Sequence, residues 1–261
     1  MIAIEAKNIC HQIEGFSLND INLSIPKSKI TTIIGPNGSG KSTFLKIISQ
    51  LLTCKCGEIC VYDKPVECYK KKDFAKTVSM LPQSKQSLPD ITVKELVSYG
   101  RSPYKSLFQK GNTSADDEII EWAMDVTGIT KNQNRMFHSL SGGEQQKARI
   151  AMALAQKTDI LLLDEPTTYL DIAHQIDVME ILQQINEEYK ITIVMVLHEL
   201  QQAAAYSDFL IALKGGCVAK FGEPQSILTS EFLKNVYNID ASIRFEDSYP
   251  IIIPNKPIKG K

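Results

Sequence analysis

Short stretches of alternating apolar and polar residues open the chain, and unbroken apolar runs recur further along it. Residues 2–8 and 21–26 alternate, which is typical of strands with one face in water. Residues 30–34 form a β-branched run, and residues 160–163 and 191–197 are continuous apolar runs. Because these runs have the length of a buried strand and are too short for a membrane span, they predict a sheet whose central strands are covered on both faces.

Helical periodicity replaces this pattern in the middle of the chain, from about residue 88 to residue 156. Apolar residues recur at steps of three and four over residues 116–126 and 144–155, which predicts two helices there. Further helices are expected over residues 42–51 and Ile172–Tyr189. Strands followed by helices, interrupted by a helical stretch, indicate an α/β core with an insertion.

The predicted fold class is therefore α/β, with an antiparallel β subdomain and an inserted α-helical subdomain. Residues 1–87 are expected to form the N-terminal part of the core with the antiparallel sheet, residues 88–156 the helical subdomain, and residues 157–261 the C-terminal part of the core. Residues 250–261 contain three prolines and end in basic residues, so we expect a frayed terminus there.

Composition excludes some classes of protein. Of the 261 residues, 43% are hydrophobic and 23% are charged, which excludes a chain that is disordered over most of its length. The formal net charge of −1 disfavours a protein built around a nucleic-acid backbone. The first residues carry Glu5, Lys7 and His11 and lack the apolar core of a secretory signal. We therefore expect a cytoplasmic protein that contacts the membrane only through a partner.

Six cysteines raise the question of a metal site. Four of them cluster, at positions 54, 56, 60 and 68, whereas Cys10 and Cys217 are isolated in the sequence. The spacing of the cluster is not a standard zinc spacing. We interpret all six as reduced thiols of a cytosolic protein, and a metal assay that found stoichiometric zinc or iron would favour the alternative.

A glycine-rich turn between a predicted strand and a predicted helix carries the first candidate chemistry. Residues 35–42 match the pattern G-x-x-x-x-G-K-[ST] at every position. Its members are Gly35, Pro36, Asn37, Gly38, Ser39, Gly40, Lys41 and Ser42, and Thr43 follows as a further candidate nucleotide-binding residue. Glycines let backbone N–H groups turn towards a phosphate chain, and the next helix presents the positive end of its dipole. The loop predicts that Lys41 contacts the β and γ phosphates and that Ser42 gives a hydroxyl oxygen to Mg²⁺.

Two carboxylates end the apolar run at residues 160–163. Asp164 and Glu165 follow it directly, and the carboxyl end of a buried parallel strand lies at the ligand crevice of such folds. Asp164 is placed to bind Mg²⁺, directly or through water. Glu165 is placed to polarise a water aimed at the γ phosphate. An acidic turn after a strand is common, but the phosphate loop upstream favours the functional interpretation.

Residues 140–146, Leu-Ser-Gly-Gly-Glu-Gln-Gln, resemble the signature motif of the ATP-binding cassette (ABC) ATPases. Ser141 is the expected N-cap, and Gly142 and Gly143 expose backbone N–H groups at the start of a helix that continues from Glu144. A capping box would explain Ser141 and Glu144 but not the paired glycines. The resemblance covers nearly the whole chain and implies a P-loop NTPase core and an ATPase that uses ATP and Mg²⁺.

The same resemblance implies roles for residues outside these motifs. Gln83 matches the glutamine that senses Mg²⁺ and links to a membrane partner, and Asp171 lies in the segment that matches the D-loop. His198 matches the switch histidine that contacts the γ phosphate. The family usually stacks an aromatic residue on adenine near the end of the first strand, and here Ile13 takes that place, with His11 as a nearby alternative.

The resemblance also implies an assembly and partners. In this family the phosphate loop of one subunit faces the signature motif of the other, so a homodimer encloses two ATP molecules. The dimer is expected on the cytoplasmic face of the membrane, bound to an integral permease, with a substrate-binding protein as an indirect partner and no nucleic acid. Residues 88–104 and their neighbours are expected to line a groove for a permease helix, although ordinary core packing is an equal alternative for Leu88, Tyr99, Tyr104, Leu107 and Phe108.

Residues 81–83, 95–101 and 164–175 further resemble the ATPases of importers for iron–siderophore complexes, haem and cobalamin. The implied function is ATP hydrolysis that energises uptake of such a cargo through the permease. Two alternatives stay open on the sequence alone. One is a soluble ABC-type ATPase that acts on DNA or ribosomes, and the other is the ATPase of an exporter or of a different metal importer, such as one for zinc or manganese.

Overall fold

The computed structural model describes residues 1–13, 15–83, 90–105 and 111–255. The chain divides into two compact units. The first unit is Met1–Asp63 together with Val196–Lys261, and the second unit is Lys64–Met195. No helix in the described part of the chain combines the length and apolar character that a membrane span requires. The three-part division expected from the sequence, with its boundaries after residues 87 and 156, stays a prediction.

Strands and helices alternate through most of the described residues. The strands are β1 (Ile2–Ile13), β2 (Phe16–Pro26), β3 (Ile30–Ile34), β4 (Cys56–Val61), β5 (Lys64–Pro65), β6 (Val78–Leu81), β7 (Ile160–Asp164), β8 (Thr192–Val196), β9 (Phe209–Lys214), β10 (Cys217–Gly222), β11 (Ala241–Glu246) and β12 (Tyr249–Pro254). The α-helices are α1 (Lys41–Ile48), α2 (Lys71–Thr77), α3 (Val93–Ser98), α4 (Ser114–Val126), α5 (Gly142–Ala155), α6 (Ile172–Tyr189), α7 (Leu200–Ala205), α8 (Pro224–Ile227) and α9 (Ser230–Phe232). The mixed α/β class predicted from the sequence is confirmed.

An antiparallel sheet in the first unit carries the N-terminal residues. β1 pairs with β2 along one edge and with β4 along the other. Ile21 and Ile25 are fully buried and Asn22 between them is exposed, which is the alternation that the sequence shows. Both strands are longer than predicted. The register of β1 shifts around Asn8, whose φ is +51°, and this bulge breaks the alternation that would have revealed the rest of the strand.

The strand before the phosphate loop lies in the interior of the first unit. All five residues of β3 are buried, and β3 runs parallel to β9, which in turn pairs with β10 in an antiparallel hairpin. Thr32 is buried among these apolar residues and its hydroxyl lies 2.6 Å from that of Ser207. A strand covered on both faces reads as a continuous β-branched run, so the prediction of a buried strand here is confirmed.

In the second unit, two parallel strands carry the catalytic candidates and three helices pack beside them. β6 pairs in parallel with β7, from Val78 opposite Ile160 to Leu81 opposite Leu163. Helices α3 and α4 both pack against α5. Arg101, in the turn after α3, is buried. It donates one hydrogen bond to Asp116 Oδ1 at the start of α4 and another to Ala155 O at the end of α5, both with a donor–acceptor distance of 2.8 Å. The helical character expected for this part of the chain is therefore present.

The prediction of a frayed C-terminal tail is wrong over residues 250–254. These residues belong to β12, which pairs along its length with β11, and Pro250 is buried. Proline is tolerated because a two-stranded sheet consists only of edge strands, where a missing N–H need not interrupt the ladder. Residues 256–261 of the predicted tail lie outside the described residues.

Candidate functional site

The phosphate loop lies in the first unit, between the end of β3 and the start of α1. Gly35 has a φ of +150°, and a Cβ at this position would clash with the backbone carbonyl of Leu213. Gly40 has a φ of +100°, and a Cβ there would lie 2.5 Å from the side chain of Leu18 and 2.6 Å from that of Phe16. The backbone thus requires glycine at the first and last glycine positions of the pattern.

The lysine of the loop is buried within it. Lys41 is only 6% exposed, and its Nζ donates to the carbonyls of Gly35 at 2.9 Å and Pro36 at 3.1 Å. The hydroxyl of Ser39 is buried and has no hydrogen-bond partner among the described residues. A buried ammonium group and an unsatisfied hydroxyl inside a backbone loop fit an anionic ligand, because both gain a partner when a phosphate chain enters.

Helix α1 adds a favourable electrostatic field to the loop. Its first turn contains no acidic side chain, and its N-cap residue, Gly40, has no side chain that could cap the helix. Ser42 and Thr43 lie in this first turn and are partly buried, whereas Asn37 and Gly38 are exposed at the tip of the loop. The positive end of the helix dipole therefore points towards a ligand held by the loop.

Tyr237 contacts the phosphate loop although it lies far from the loop in the sequence, and it was not predicted from the sequence. The phenol of Tyr237 forms a hydrogen bond with the backbone of Gly35, and burial raises the pKa of this tyrosine. Tyr237 ends a short π-helical turn, Leu233–Tyr237, that follows α9. No motif marks this position, because the contact depends on how the chain folds back onto the loop.

The switch-histidine candidate, His198, also lies in the first unit. His198 is exposed, and the residue before it, Leu197, donates its backbone N–H to Ile33 O on β3 over 3.3 Å. The switch-histidine candidate is thus anchored beside the strand that leads into the phosphate loop.

The adenine candidate, Ile13, ends β1 and is 44% exposed. The ring of the alternative, His11, is held by Thr53 O, which lies 2.8 Å from its Nδ1. Sequence reasoning passed over Phe16, which opens β2 opposite Ile13 and whose ring packs against Gly40. The signal in the sequence was an aromatic residue directly after a tight turn.

The paired carboxylates lie at the carboxyl end of β7, where the sequence predicts them, and β7 belongs to the second unit. Asp164 is 5% exposed, and Glu165 follows it with a φ of +55°, a conformation that costs free energy in any residue with a Cβ. Gln83 Nε2 donates a hydrogen bond to Glu165 Oε2 at a distance of 2.6 Å, and Thr168 Oγ1 donates to the same oxygen at 3.0 Å. Two donors on one oxygen fix the position of the carboxylate. The role of Thr168 was not foreseen.

The signature segment begins α5 with a complete capping box. Ser141 Oγ accepts from the backbone N–H of Glu144, and Glu144 accepts from the backbone N–H of Ser141 over 2.9 Å. Asn132 donates to Glu144 over 2.6 Å, and the guanidinium of Arg135 lies 3.6 Å from it. These hydrogen bonds, first that from the Ser141 backbone, lower the pKa of Glu144. Ser141 and Gly142 are exposed, so the segment can be reached by another molecule.

The D-loop candidate is connected to the signature segment through a histidine. Asp171 is the N-cap of α6, and its Oδ1 accepts from the backbone N–H of His174 over 2.9 Å and lies 2.8 Å from the ring Nδ1. These hydrogen bonds lower the pKa of Asp171. The His174 ring lies against Gly143 so closely that a Cβ on Gly143 would clash with it. His174 was not predicted as a site residue, because nothing in the motif reports this contact.

The described residues contain no group of three or more histidine, cysteine, aspartate or glutamate side chains arranged to bind a metal ion. A Mg²⁺ ion bound with a nucleotide requires no such group, because it takes one or two protein oxygens, several waters and the phosphates.

Of the five residues proposed for the permease groove, Tyr99 is exposed. Tyr104 is partly buried, and the Arg101 guanidinium lies 3.9 Å from its ring centroid. Leu88, Leu107 and Phe108 lie outside the described residues.

Comparison with known proteins identifies the class. Residues 18–168 match the family described as ABC transporter. The petrobactin import ATP-binding protein FpuC of Bacillus anthracis is 43% identical over 98% of this chain and 93% of its own length. The iron(3+)-hydroxamate import ATP-binding protein FhuC of Bacillus subtilis (strain 168) is 47% identical over 87% of this chain and 84% of its own.

Solved structures agree with these relatives. A metal-chelate type ABC transporter in an inward-facing conformation matches with a TM-score of 0.86 and 29% identity, over 98% of each chain. An ATP-binding cassette solved as a dimer with ADP and Pi matches with a TM-score of 0.71 and 27% identity, over 85% of this chain and 98% of the other. The chain therefore belongs to the ABC transporter family, and it is an ATP-binding cassette ATPase. The family resemblance of its signature motif is confirmed.

Proposed function

We propose that this protein is the ATP-hydrolysing subunit of an importer for iron chelates, with iron–siderophore complexes as the cargo. The hydrolytic part of the proposal rests on one observation above the others, the Glu165 carboxylate held by Gln83 and Thr168 at the end of β7. The cargo is supported by similarity over most of the chain to ATPases named for petrobactin and iron(3+)-hydroxamate import. Among the cargoes considered above, haem and cobalamin are therefore less favoured than siderophores.

The phosphate loop of the first unit fits the phosphate chain of a magnesium nucleotide. Lys41 and the N–H groups of the loop bind the β and γ phosphates, and the unsatisfied Ser39 hydroxyl donates to the same chain. Ser42 in the first unit, and Asp164 and Gln83 in the second, would each offer an oxygen ligand to Mg²⁺. The ion would neutralise charge on the phosphate oxygens during transfer. Ile13 and Phe16 offer apolar surface to the adenine ring.

Glu165 acts as the general base in this proposal. A water aimed at the γ phosphate gives its proton to the carboxylate, which Gln83 and Thr168 hold in position. His198, in the first unit, is the proposed contact to the γ phosphate of the nucleotide that the loop binds. The strained backbone of Glu165 is consistent with a residue whose position serves chemistry.

The signature segment completes the site of a second copy. Ser141, Gly142 and Gly143 present backbone N–H groups and a positive helix end to the γ phosphate bound by the partner's loop, and Asp171 lies beside them through His174. An ATP molecule enclosed in this way holds the homodimer closed. Loss of the γ phosphate removes the bridging charge, so the open state becomes more populated.

The partners follow from this role. The dimer binds an integral permease at the cytoplasmic face of the membrane, and a substrate-binding protein delivers cargo to the other side. Residues 90–104, with the exposed Tyr99, are proposed to contribute to the permease contact. No part of the proposal involves nucleic acid, in keeping with a net charge of −1.

The substitution Glu165→Gln tests the catalytic assignment. It keeps the size of the side chain and removes the proton acceptor, so we expect phosphate release to fall by roughly 100-fold or more while ATP binding persists. Light scattering should show an Mg-ATP-dependent dimer that no longer dissociates. The exposed Glu180→Gln on α6 makes the same charge change away from the site and should hydrolyse ATP normally. Wild-type turnover in Glu165→Gln would contradict the assignment.

Uptake measurements test the cargo. A strain that lacks this gene should lose uptake of a radiolabelled iron–siderophore complex, and the wild-type gene, but not Glu165→Gln, should restore it. Labelled haem, cobalamin, zinc and manganese are measured in parallel. Normal siderophore uptake in the deletion strain, with loss of one of the other four, would overturn the cargo and leave the ATPase assignment intact.

A further inference from the structure

Two cysteines face each other across neighbouring strands of the first unit. Cys10 on β1 and Cys56 on β4 are direct partners in the antiparallel register. Side chains of direct partners project from the same face of a sheet, and their Cα atoms lie roughly 4.5–5.5 Å apart. A disulfide bond requires Cα atoms roughly 4.4–6.8 Å apart. The register alone therefore places these two thiols within bonding range, although they are far apart in the sequence.

The two thiols also interact directly. A hydrogen bond with Cys10 is the main cause that raises the pKa of the Cys56 thiol. Cys10 Sγ in addition donates to the carbonyl of Asn8 over 3.6 Å. Cys10 is partly buried and Cys56 is exposed, so a small oxidant can reach the pair from solvent.

The backbone holds the pair in place. Gly57, next to Cys56, has a φ of +85°, and a Cβ there would clash with the carbonyls of Lys7 and Asn8 on the bulged part of β1. On the other side of Cys56, Lys55 donates its backbone N–H to Cys10 O over 2.7 Å. Because main-chain contacts flank the pair on both sides, little movement is needed to bring the sulfur atoms together.

A third thiol lies close to this pair without sharing its register. Cys54 is partly buried, and its Sγ donates to Gly57 O over 3.8 Å. Cys54 is not a strand partner of Cys10, because β4 begins at Cys56. The geometry therefore distinguishes one pair of cysteines from the rest of the cluster that the sequence suggests.

We propose that Cys10 and Cys56 form a site of reversible thiol oxidation that a peroxide closes to a disulfide. One thiolate attacks the O–O bond of hydrogen peroxide, which gives a sulfenic acid and hydroxide. The second thiolate attacks this sulfur, the S–O bond breaks, and a second hydroxide leaves. With the two thiol protons the balance is two thiols and one peroxide giving one disulfide and two waters. A dithiol reverses the reaction by thiol–disulfide exchange.

The disulfide ties β1 to β4 and so closes the chain between residues 10 and 56, a segment that includes the phosphate loop. Closing a long segment destabilises the unfolded chain more than the folded one when the folded geometry already suits the bond. We therefore expect the oxidised protein to unfold at a higher temperature than the reduced protein. This inference does not depend on the proposed transport function, since the chemistry and the stability are both measured without ATP.

Peptide mapping of the full-length protein tests the proposal. After treatment with hydrogen peroxide, and blocking of remaining thiols with N-ethylmaleimide, the thiol count should fall from six to four as two are consumed. Trypsin cleaves after Lys55 and so separates Cys54 from Cys56. We expect a peptide containing Cys10 linked to the peptide that begins at Cys56, with fragment ions placing the bond at Cys56. Dithiothreitol should restore all six thiols.

Matched serine variants provide the controls. Cys10→Ser and Cys56→Ser should lose the linked peptide and the rise in melting temperature, whereas Cys54→Ser and Cys217→Ser should keep both. Circular dichroism of the reduced variants checks that each is folded. Unlinked Cys10 in the oxidised wild-type protein, or a bond from Cys10 to Cys54 or to a second molecule, would overturn the proposal.

Discussion

Gly143 has a role that its place in the signature motif does not explain. Its backbone N–H is proposed to face the nucleotide of the partner, but its Cα also touches the ring of His174. The ring is held by Asp171, the N-cap of α6. A glycine at this position therefore leaves space for a side chain of the neighbouring helix, a requirement separate from the proposed contact with the nucleotide.

We expect Gly143→Ala to destabilise the protein by about 1–3 kcal/mol, the usual cost of overpacking, because the added methyl group occupies the position of the His174 ring. Urea unfolding measures this change. Gly142→Ala is the matched control, since its methyl group would meet only Leu170 at 3.5 Å, an ordinary contact. Equal stability of the two variants would contradict the steric explanation.

A double variant separates crowding from other effects. If the clash with the ring is the cause, Gly143→Ala should cost less in a His174→Ala background than in the wild-type protein, and the two changes should be non-additive by at least about 0.5 kcal/mol. Additive changes in the free energy of unfolding would show that the methyl group acts elsewhere.

Residues of the motifs were predictable because their chemistry depends on spacing along the chain. Gly35, Lys41 and Ser42 stand at fixed steps around a turn, and Asp164 and Glu165 end an apolar run. Residues that act through contacts distant in sequence were not predictable. His174 and Tyr237 reach Gly143 and Gly35 because of how the elements pack, and no periodicity records such contacts. Thr168 is only three residues from Glu165, and its contact depends on the conformation of the turn between them.

At the scale of secondary-structure elements, Arg101 joins three parts of the helical region. It donates to Asp116 and to Ala155 O, and it lies over the ring of Tyr104. The side chains of Arg101 and Asp116 are 6% and 7% exposed. The hydrogen bond from Arg101 is the main reason that the pKa of Asp116 is lowered to about 2. A buried charge pair of this kind orients α4 against α5.

Arg101→Met should destabilise the protein by about 3–5 kcal/mol at neutral pH, because it leaves the Asp116 carboxylate buried without its cation. Urea unfolding again provides the measurement. Lys94→Met is the control, since its pair with Glu121 is exposed and 3.9 Å long, and pairs of that kind contribute about 0–1 kcal/mol. A loss below 1 kcal/mol in Arg101→Met would contradict the assigned role.

Acid should reduce the difference between the wild-type protein and Arg101→Met. A carboxyl group whose pKa is lowered in the folded state stabilises that state above its unfolded pKa of about 3.9. This contribution disappears as the pH falls towards the folded pKa of about 2. The gap in the free energy of unfolding should therefore narrow as the pH falls towards about 2, because a protonated Asp116 no longer needs the Arg101 cation.

The boundaries predicted for helices and strands agree with the structure where one face of an element is regularly buried. They disagree where a bulge or a proline makes the backbone irregular. Helix α6 spans Ile172–Tyr189, as predicted, and apolar residues at steps of three and four, among them Val178, Ile181 and Leu182, form its buried face. Strand β1 was underestimated because of its bulge. Strand β12 was missed because the prolines within Tyr249–Pro254 suggested a frayed tail. Its pairing partner β11, Ala241–Glu246, does alternate apolar and polar residues, and this strand signal was overlooked.

At the scale of the whole molecule, each proposed ATP site needs two copies of the chain, one for the phosphate loop and one for the signature segment. The signature segment is exposed and capped, with Ser141 and Gly142 accessible, while the phosphate loop has its own lysine and helix end. If each ATP is bound by the loop of one copy and the signature segment of another, then a defect in the loop and a defect in the signature segment should compensate when they lie on different chains.

We therefore expect Lys41→Ala and Ser141→Arg to be inactive separately and active when mixed. In a mixed dimer, one site combines both defects and the other combines an intact loop with an intact signature segment. Random pairing makes half the dimers mixed, so phosphate release should recover to at most about a quarter of the wild-type rate. Differently tagged chains, purified as mixed dimers, remove the statistical dilution. If each chain formed its own complete site, both would carry a defect and no mixture would hydrolyse ATP.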